Sequence, residues 1–118
     1  TFAKAVRAYE EAARGYDVVL TPTVASASWR LGHLSPVLGR EELLRRTERV
    51  IGYTPLQNIA GGPGMSVPLS FPEAGPPIGM HFAAAPGADA LLLGLAYQLE
   101  EARPWKDRWP PYSIPALF

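Results

Sequence analysis

The chain has no cysteine. Disulfides, thiolate zinc sites and a cysteine nucleophile are therefore excluded, and a reducing, cytoplasmic setting is the expectation. It also lacks an excess of either charge. Eleven basic residues balance eleven acidic ones, whereas a nucleic-acid binder needs a basic surplus to neutralise phosphate. An anionic membrane surface is an equally poor match. No long apolar run is present. The longest, residues 88–95, carries Asp89 inside it and is too short to cross a bilayer. The opening TFAKAVRAYEEAARGY is amphipathic and mixed in charge, unlike a secretory leader. With only two histidines, His33 and His81, the three protein ligands usual for catalytic zinc are not available from imidazole, and no metal is expected. Gly61-Gly62-Pro63-Gly64 is followed by Met65-Ser66 rather than Lys-Ser/Thr, so a phosphate-binding loop is excluded, and no cofactor is expected.

What remains is a globular composition, 47% apolar and 19% charged. At 118 residues the chain reads as one domain over 1–118, with a Pro/Trp-rich tail at 103–118. Residues 3–14 carry Val6, Tyr9 and Ala13 at helical spacing, and Gly15 stops that helix. Tyr16–Leu20 reads as a short buried strand closed by a turn at Thr21-Pro22-Thr23. Residues 22–39 have no period and form a long loop. Residues 40–52 form an amphipathic helix with Leu43, Leu44, Thr47, Val50 and Ile51 on its apolar stripe. Thr54–Gly64 is turn-rich. Met65–Leu69 and Ile78–Ala84 are strands, joined by a turn-rich linker at 71–77. Residues 87–102 form the closing helix, with Leu91, Leu92, Leu95, Ala96 and Leu99 on one face and Asp89 near its start, where the helix dipole favours an anion. The expected fold class is α/β or α+β, a small mixed sheet with about three helices and at least one edge in need of a partner.

The chain carries little chemistry of its own. Gly64-Met65-Ser66-Val67-Pro68 lacks the second Gly of a nucleophile elbow, so Ser66 reads as a strand serine bonded to backbone. Glu41, Glu42 and Glu48 share a helix with Arg40, Arg45, Arg46 and Arg49, which reads as a solvated ion-pair face. His81 alternates with Met80 and Phe82 and so lies on the other face of its strand, either lining a pocket or hydrogen-bonded in the core. Asn58, just before the Gly-rich turn, can hold that turn or contact a ligand.

Four blocks, in order, resemble one family. Tyr53-Thr54-Pro55-Leu56-Gln57-Asn58-Ile59-Ala60-Gly61-Gly62-Pro63-Gly64-Met65-Ser66-Val67-Pro68 is similar to the C-terminal pattern of amidase-signature enzymes. Thr54, Asn58, Gly61, Pro63, Ser66, Val67 and Pro68 match it. Asp17–Thr23 resembles the family's Asp-apolar-Pro-Thr strand, Pro77–His81 its Pro-apolar-Gly strand, and Leu91–Trp105 its closing helix. His81 stands where many members carry Gln, and Ser70 where Gly is common. The variant Pro77-Ile78-Gly79-Met80-His81-Phe82 resembles the branch containing 6-aminohexanoate cyclic-dimer hydrolases.

The resemblance implies that the chain is the C-terminal part of a larger amidase-signature fold. It implies hydrolysis of amide bonds by a Ser–Ser–Lys triad through an acyl-enzyme, with the reacting residues upstream and none of them here. On that footing no catalytic residue is assigned. Asn58, Gly61, Gly62 and His81 are the candidates for the wall of the substrate cleft. The implied partners are the upstream half of the amidase, if separately encoded, or a second copy in a homo-oligomer, with a small amide as substrate of the intact enzyme. The alternative is a non-catalytic module that self-associates through an open sheet edge.

Overall fold

A computed structural model describes residues 2–73, 75–110 and 113. Its elements are, in chain order, α1 (Phe2–Ala13), β1 (Val19–Pro22), α2 (Arg40–Val50), α3 (Pro55–Ala60), β2 (Gly64–Ser70), β3 (Ile78–Ala83) and α4 (Asp89–Ala102). The strands form one sheet in the order β1-β3-β2. The α/β class holds. Within it both pairings are antiparallel, where a mixed sheet is expected, and four helices stand where about three are expected.

Three local expectations are corrected. The first strand starts at Val19, not Tyr16, and it is half-buried rather than buried. Gly15, at φ 91°, and the bond from the Tyr16 N–H to the Ala13 carbonyl fold the chain back at the end of α1, which leaves Tyr16 exposed. Thr21 and Pro22 extend that strand instead of turning. Thr54–Gly64 is not only turns. Pro55 opens a helix, and Gly61, in the left-handed region at φ 72°, ends it. In α4, Leu92 is buried and Leu95 and Leu99 half-buried, but Leu91 is 44% exposed.

Proline sits inside two strands without breaking the sheet, and the bonding phase explains why. The Thr23 N–H donates to the Gly79 carbonyl at 3.1 Å, in line with the β1–β3 register of Thr21 on His81 and Val19 on Ala83. Antiparallel bonding alternates, so Val19 and Thr21 turn their backbone groups toward β3 while Leu20 and Pro22 turn theirs outward. Ala84 likewise donates to the Pro63 carbonyl at 3.2 Å, which points Met65 and Val67 inward and Gly64, Ser66 and Pro68 outward. Pro22 and Pro68 thus lack an N–H only where no ladder bond is due. β2 slips register between Pro68 and Ser70.

One face of the sheet is apolar. Val67, Phe82 and Ala84 bury against Leu92 of α4, with Met65, Met80, Leu95, Leu99 and Trp105 packed around them. Trp105, from the Pro/Trp-rich tail, joins this core; Arg108 lies 4.4 Å over the Phe71 ring. The rest of that tail, at 111, 112 and 114–118, lies outside the described residues. Opposite the helix, the second face is small and polar, and α1 and α3 pack together at its side. The loop before α2 is pinned by Trp29, stacked on His33 and donating to the Ser26 hydroxyl, and by Arg46, which donates to the His33 carbonyl.

Candidate functional site

The polar face is assembled by register. Thr21 on β1 and Ser66 on β2 both stand directly opposite His81 on β3. Opposed residues share a face, so one imidazole is flanked by two hydroxyls. Thr21 Oγ1 lies 3.3 Å from His81 Nδ1. Ser66 Oγ bonds instead to Thr23 Oγ1 at 2.6 Å, a hydroxyl partner where a backbone one is expected. That bridge passes over the middle strand because Gly79 has no side chain. A Cβ there would lie 2.7 Å from Thr23 Oγ1 and 3.0 Å from Ser66 Oγ. Gly64 does the same for the histidine, since a Cβ on it would stand 2.8 Å from His81 Nε2.

His81 is 7% exposed. Burial penalises its charged form and pushes the imidazole below its ordinary value, so the ring is neutral at pH 7. It lines a recess of about 310 Å³ together with Tyr9, Thr21, Tyr53, Gln57 and Ala83. Gln57 is the second buried polar side chain of this region. Its Nε2 donates to the Tyr9 hydroxyl, tying α3 to α1. Its Oε1 is buried and, among the described residues, has no hydrogen-bond partner; it abuts Gly62. A Cβ on Gly62 would stand 2.8 Å from that oxygen and 2.6 Å from the Ala84 carbonyl.

The four sequence candidates separate in space. His81 and Gly62 lie in packed, polar surroundings. Gly61 is the exposed helix terminus, and Asn58 is an exposed residue inside α3, in the last turn before it. The structure sets beside His81 residues that sequence reading did not place at a site: Thr21, Gly64 and Ser66, the last bonded to Thr23. The signal for them was the period-2 alternation of two threonines across Pro22, in phase with Ser66 and His81. Chemically the cluster can orient and hydrogen-bond a ligand. Among the described residues neither Ser66 nor Thr21 sits in a nucleophile–base–orienter chain of the kind that activates a hydroxyl.

The family description Amidase matches residues 2–93. The chain belongs to the amidase family. Among amidase relatives, AmiC of Mycobacterium tuberculosis is 49% identical over 90 residues, covering 76% of this chain and 19% of the relative. The 6-aminohexanoate-cyclic-dimer hydrolase of Pseudomonas sp. is 33% identical over 108 residues, covering 86% and 22%. An acylamidase of Rhodococcus erythropolis is 35% identical over 99 residues, covering 84% and 21%. A solved 6-aminohexanoate cyclic dimer hydrolase superposes with a TM-score of 0.70 at 32% identity, over 92% of this chain and 23% of that one. The chain thus spans about a fifth of the length of the amidases it matches. Among the described residues no helix is long and apolar enough to cross a membrane.

Proposed function

We propose that this chain is the C-terminal segment of an amidase that hydrolyses carbon–nitrogen amide bonds by Ser–Ser–Lys acyl-enzyme chemistry, with the reacting residues in the part of the fold it does not span. The observation that carries this reading is the openness of a body whose family match covers residues 2–93. A compact monomer of 12.8 kDa exposes about 6,300 Å², whereas this chain exposes 9143 Å². Its radius of gyration is 17.0 Å against about 13.5 Å for a compact domain of this length. Its described residues bury no large side chain below 2% exposure. The elements are shaped to pack against a larger body.

In this reading the chain supplies part of the sheet and one wall of the cleft, with His81 and Gly62 on that wall and Asn58 and Gly61 at its rim. The small amide substrate is held there but attacked from elsewhere. The partner is the remainder of the amidase, and the expected setting is cytoplasmic. The test is complementation in trans. The chain is co-expressed with the 6-aminohexanoate-cyclic-dimer hydrolase lacking its matching segment, and release of linear product from the cyclic dimer is followed. The chain alone gives no turnover and the pair does. Turnover by the chain alone, lost on mutating one serine, overturns the proposal.

The second reading, a module that self-associates, is favoured by the two sheet edges left unpaired among the described residues and by exposed Phe2, Leu31 and Val37. Sedimentation decides it: an ideal monomer at all concentrations excludes self-association.

A further inference from the structure

Two buried oxygens meet at Gly62 with no donor between them. Gln57 is 6% exposed, and among the described residues its Oε1 has no hydrogen-bond partner. Ala84 is 5% exposed. Its N–H donates to Pro63, but no hydrogen bond among the described residues reaches its carbonyl. Both oxygens lie within 2.8 Å of the point where a side chain on Gly62 would begin. Buried polar groups are ordinarily paired, and two orphaned acceptors at one point are satisfied together by a group that donates twice.

Tyr9, Gln57, Gly62 and Ala84 all line one recess of about 270 Å³. It shares Tyr9 and Gln57 with the recess beside His81 but lies on the Gly62 side of them. Glu10 and Asp17 line it too, with Arg14 as the one basic residue of the lining. These three are exposed, so charge stands on the solvent side and the orphaned oxygens on the buried side. Two carboxylates against one guanidinium leave the recess net negative. An anion finds little to hold it there. A protonated primary amine brings three N–H donors on one nitrogen together with a positive charge.

We propose that this recess is a binding site for a small primary ammonium group, held by Gln57 Oε1 and the Ala84 carbonyl. The last torsion of a glutamine is soft, so a small turn of the amide brings Oε1 to the incoming nitrogen. Gly62, bare of a side chain, leaves the room between the two oxygens. An amine is one half of what amide hydrolysis releases, so the site suits the functional reading above without depending on it.

Two-dimensional NMR of the chain titrated with ethylammonium chloride tests it. Saturable shifts are expected at the Gln57 side-chain amide and at the backbone amides of Gly62 and Ala85. Tetramethylammonium chloride, which has the charge but no N–H, does not produce them, and neither does potassium chloride. Acetamide, which donates twice without a charge, binds about tenfold more weakly. Gln57→Leu, close in size and without the oxygen, weakens ethylammonium binding about tenfold, with unmoved Met80 and Phe82 amides reporting an intact sheet. The ligand comparison on the unaltered chain needs no variant to fold. The site is overturned if ethylammonium gives no saturable shift, the result when water alone occupies the place. It is equally overturned if tetramethylammonium or potassium moves the same resonances as far, if acetamide binds as tightly, or if Gln57→Leu with its sheet intact binds like wild type. None of these outcomes bears on amide hydrolysis, so the failure of either reading leaves the other standing.

Discussion

Gly62 shows how much a missing methyl group can decide. Its Cβ position is occupied, in effect, by the Ala84 carbonyl oxygen and Gln57 Oε1, and the backbone oxygen cannot swing away. Gly62→Ala is therefore expected to lower stability by about 1–3 kcal/mol, the range for overpacking, read as a fall in urea midpoint. An alanine at Gly94, inside α4 with nothing near its Cβ, is expected instead to raise stability by about 0.5–1 kcal/mol, the helix-propensity gain over glycine. His81 gives a prediction of sign. Its folded-state value lies below the ordinary 6.5 because of burial. Below that pH the unfolded chain takes up a proton that the folded chain refuses. Stability is then fully present above 6.5 and falls as pH drops toward the folded value. Unfolding midpoints between about pH 5 and 8 should slope accordingly, and His81→Gln should flatten the slope. An unchanged slope in that variant removes His81 as its source.

At the scale of elements, α4 and α2 are held by different forces. α4 docks through Leu92, 4% exposed and in one cluster with Val67, Phe82 and Ala84. Leu92→Ala should cost about 2–5 kcal/mol and release the helix from the sheet, measurable as lost amide protection in β2. α2 is held at its surface by Glu42, which accepts from Arg45 at 2.7 Å and from Arg46 at 2.7 Å. Arg45 first and then Arg46 lower its carboxyl from 4.5 to about 2. The contribution is present above pH 4.5 and disappears as pH falls through about 2. It is also screened by salt, because the pair is solvated. Glu42→Gln should remove the loss of helical circular dichroism over that interval, and high salt should shrink the difference between the two proteins.

For the whole molecule, the deciding quantity is surface left uncovered. Phe2, Leu31, Val37, Leu93 and Tyr97 are each more than 60% exposed, on three separate segments of the chain. The chain alone is expected to bind a hydrophobic dye and to sediment with concentration-dependent mass. If the proposed function holds, co-expression with the cyclic-dimer hydrolase lacking its matching segment suppresses both. A dye-silent, ideally sedimenting chain would mean that the surface is already satisfied.

The helices and strands were largely legible in the sequence, because a helix displays its apolar face at 3.6-residue spacing and a strand at 2. Val6, Tyr9 and Ala13 on α1, and His81 opposed to Met80 and Phe82 on β3, needed nothing but that period. The cysteine-free, charge-balanced composition and the ordered motif blocks were local as well, and those blocks pointed to the family that the chain belongs to. Only the tertiary structure decided that Pro22 and Pro68 lie within strands, since whether a missing N–H is harmful depends on which side the neighbouring strand lies. It also decided that Thr21, Ser66 and His81 meet, that Gly62, Gly64 and Gly79 are bare for the sake of a neighbour far along the chain, and that β2 lies at the edge of the sheet among the described residues. Each of these is a statement about distance between residues remote in sequence, and hydrogen bonds and van der Waals contacts act only across a few ångströms of space, whatever the separation along the chain.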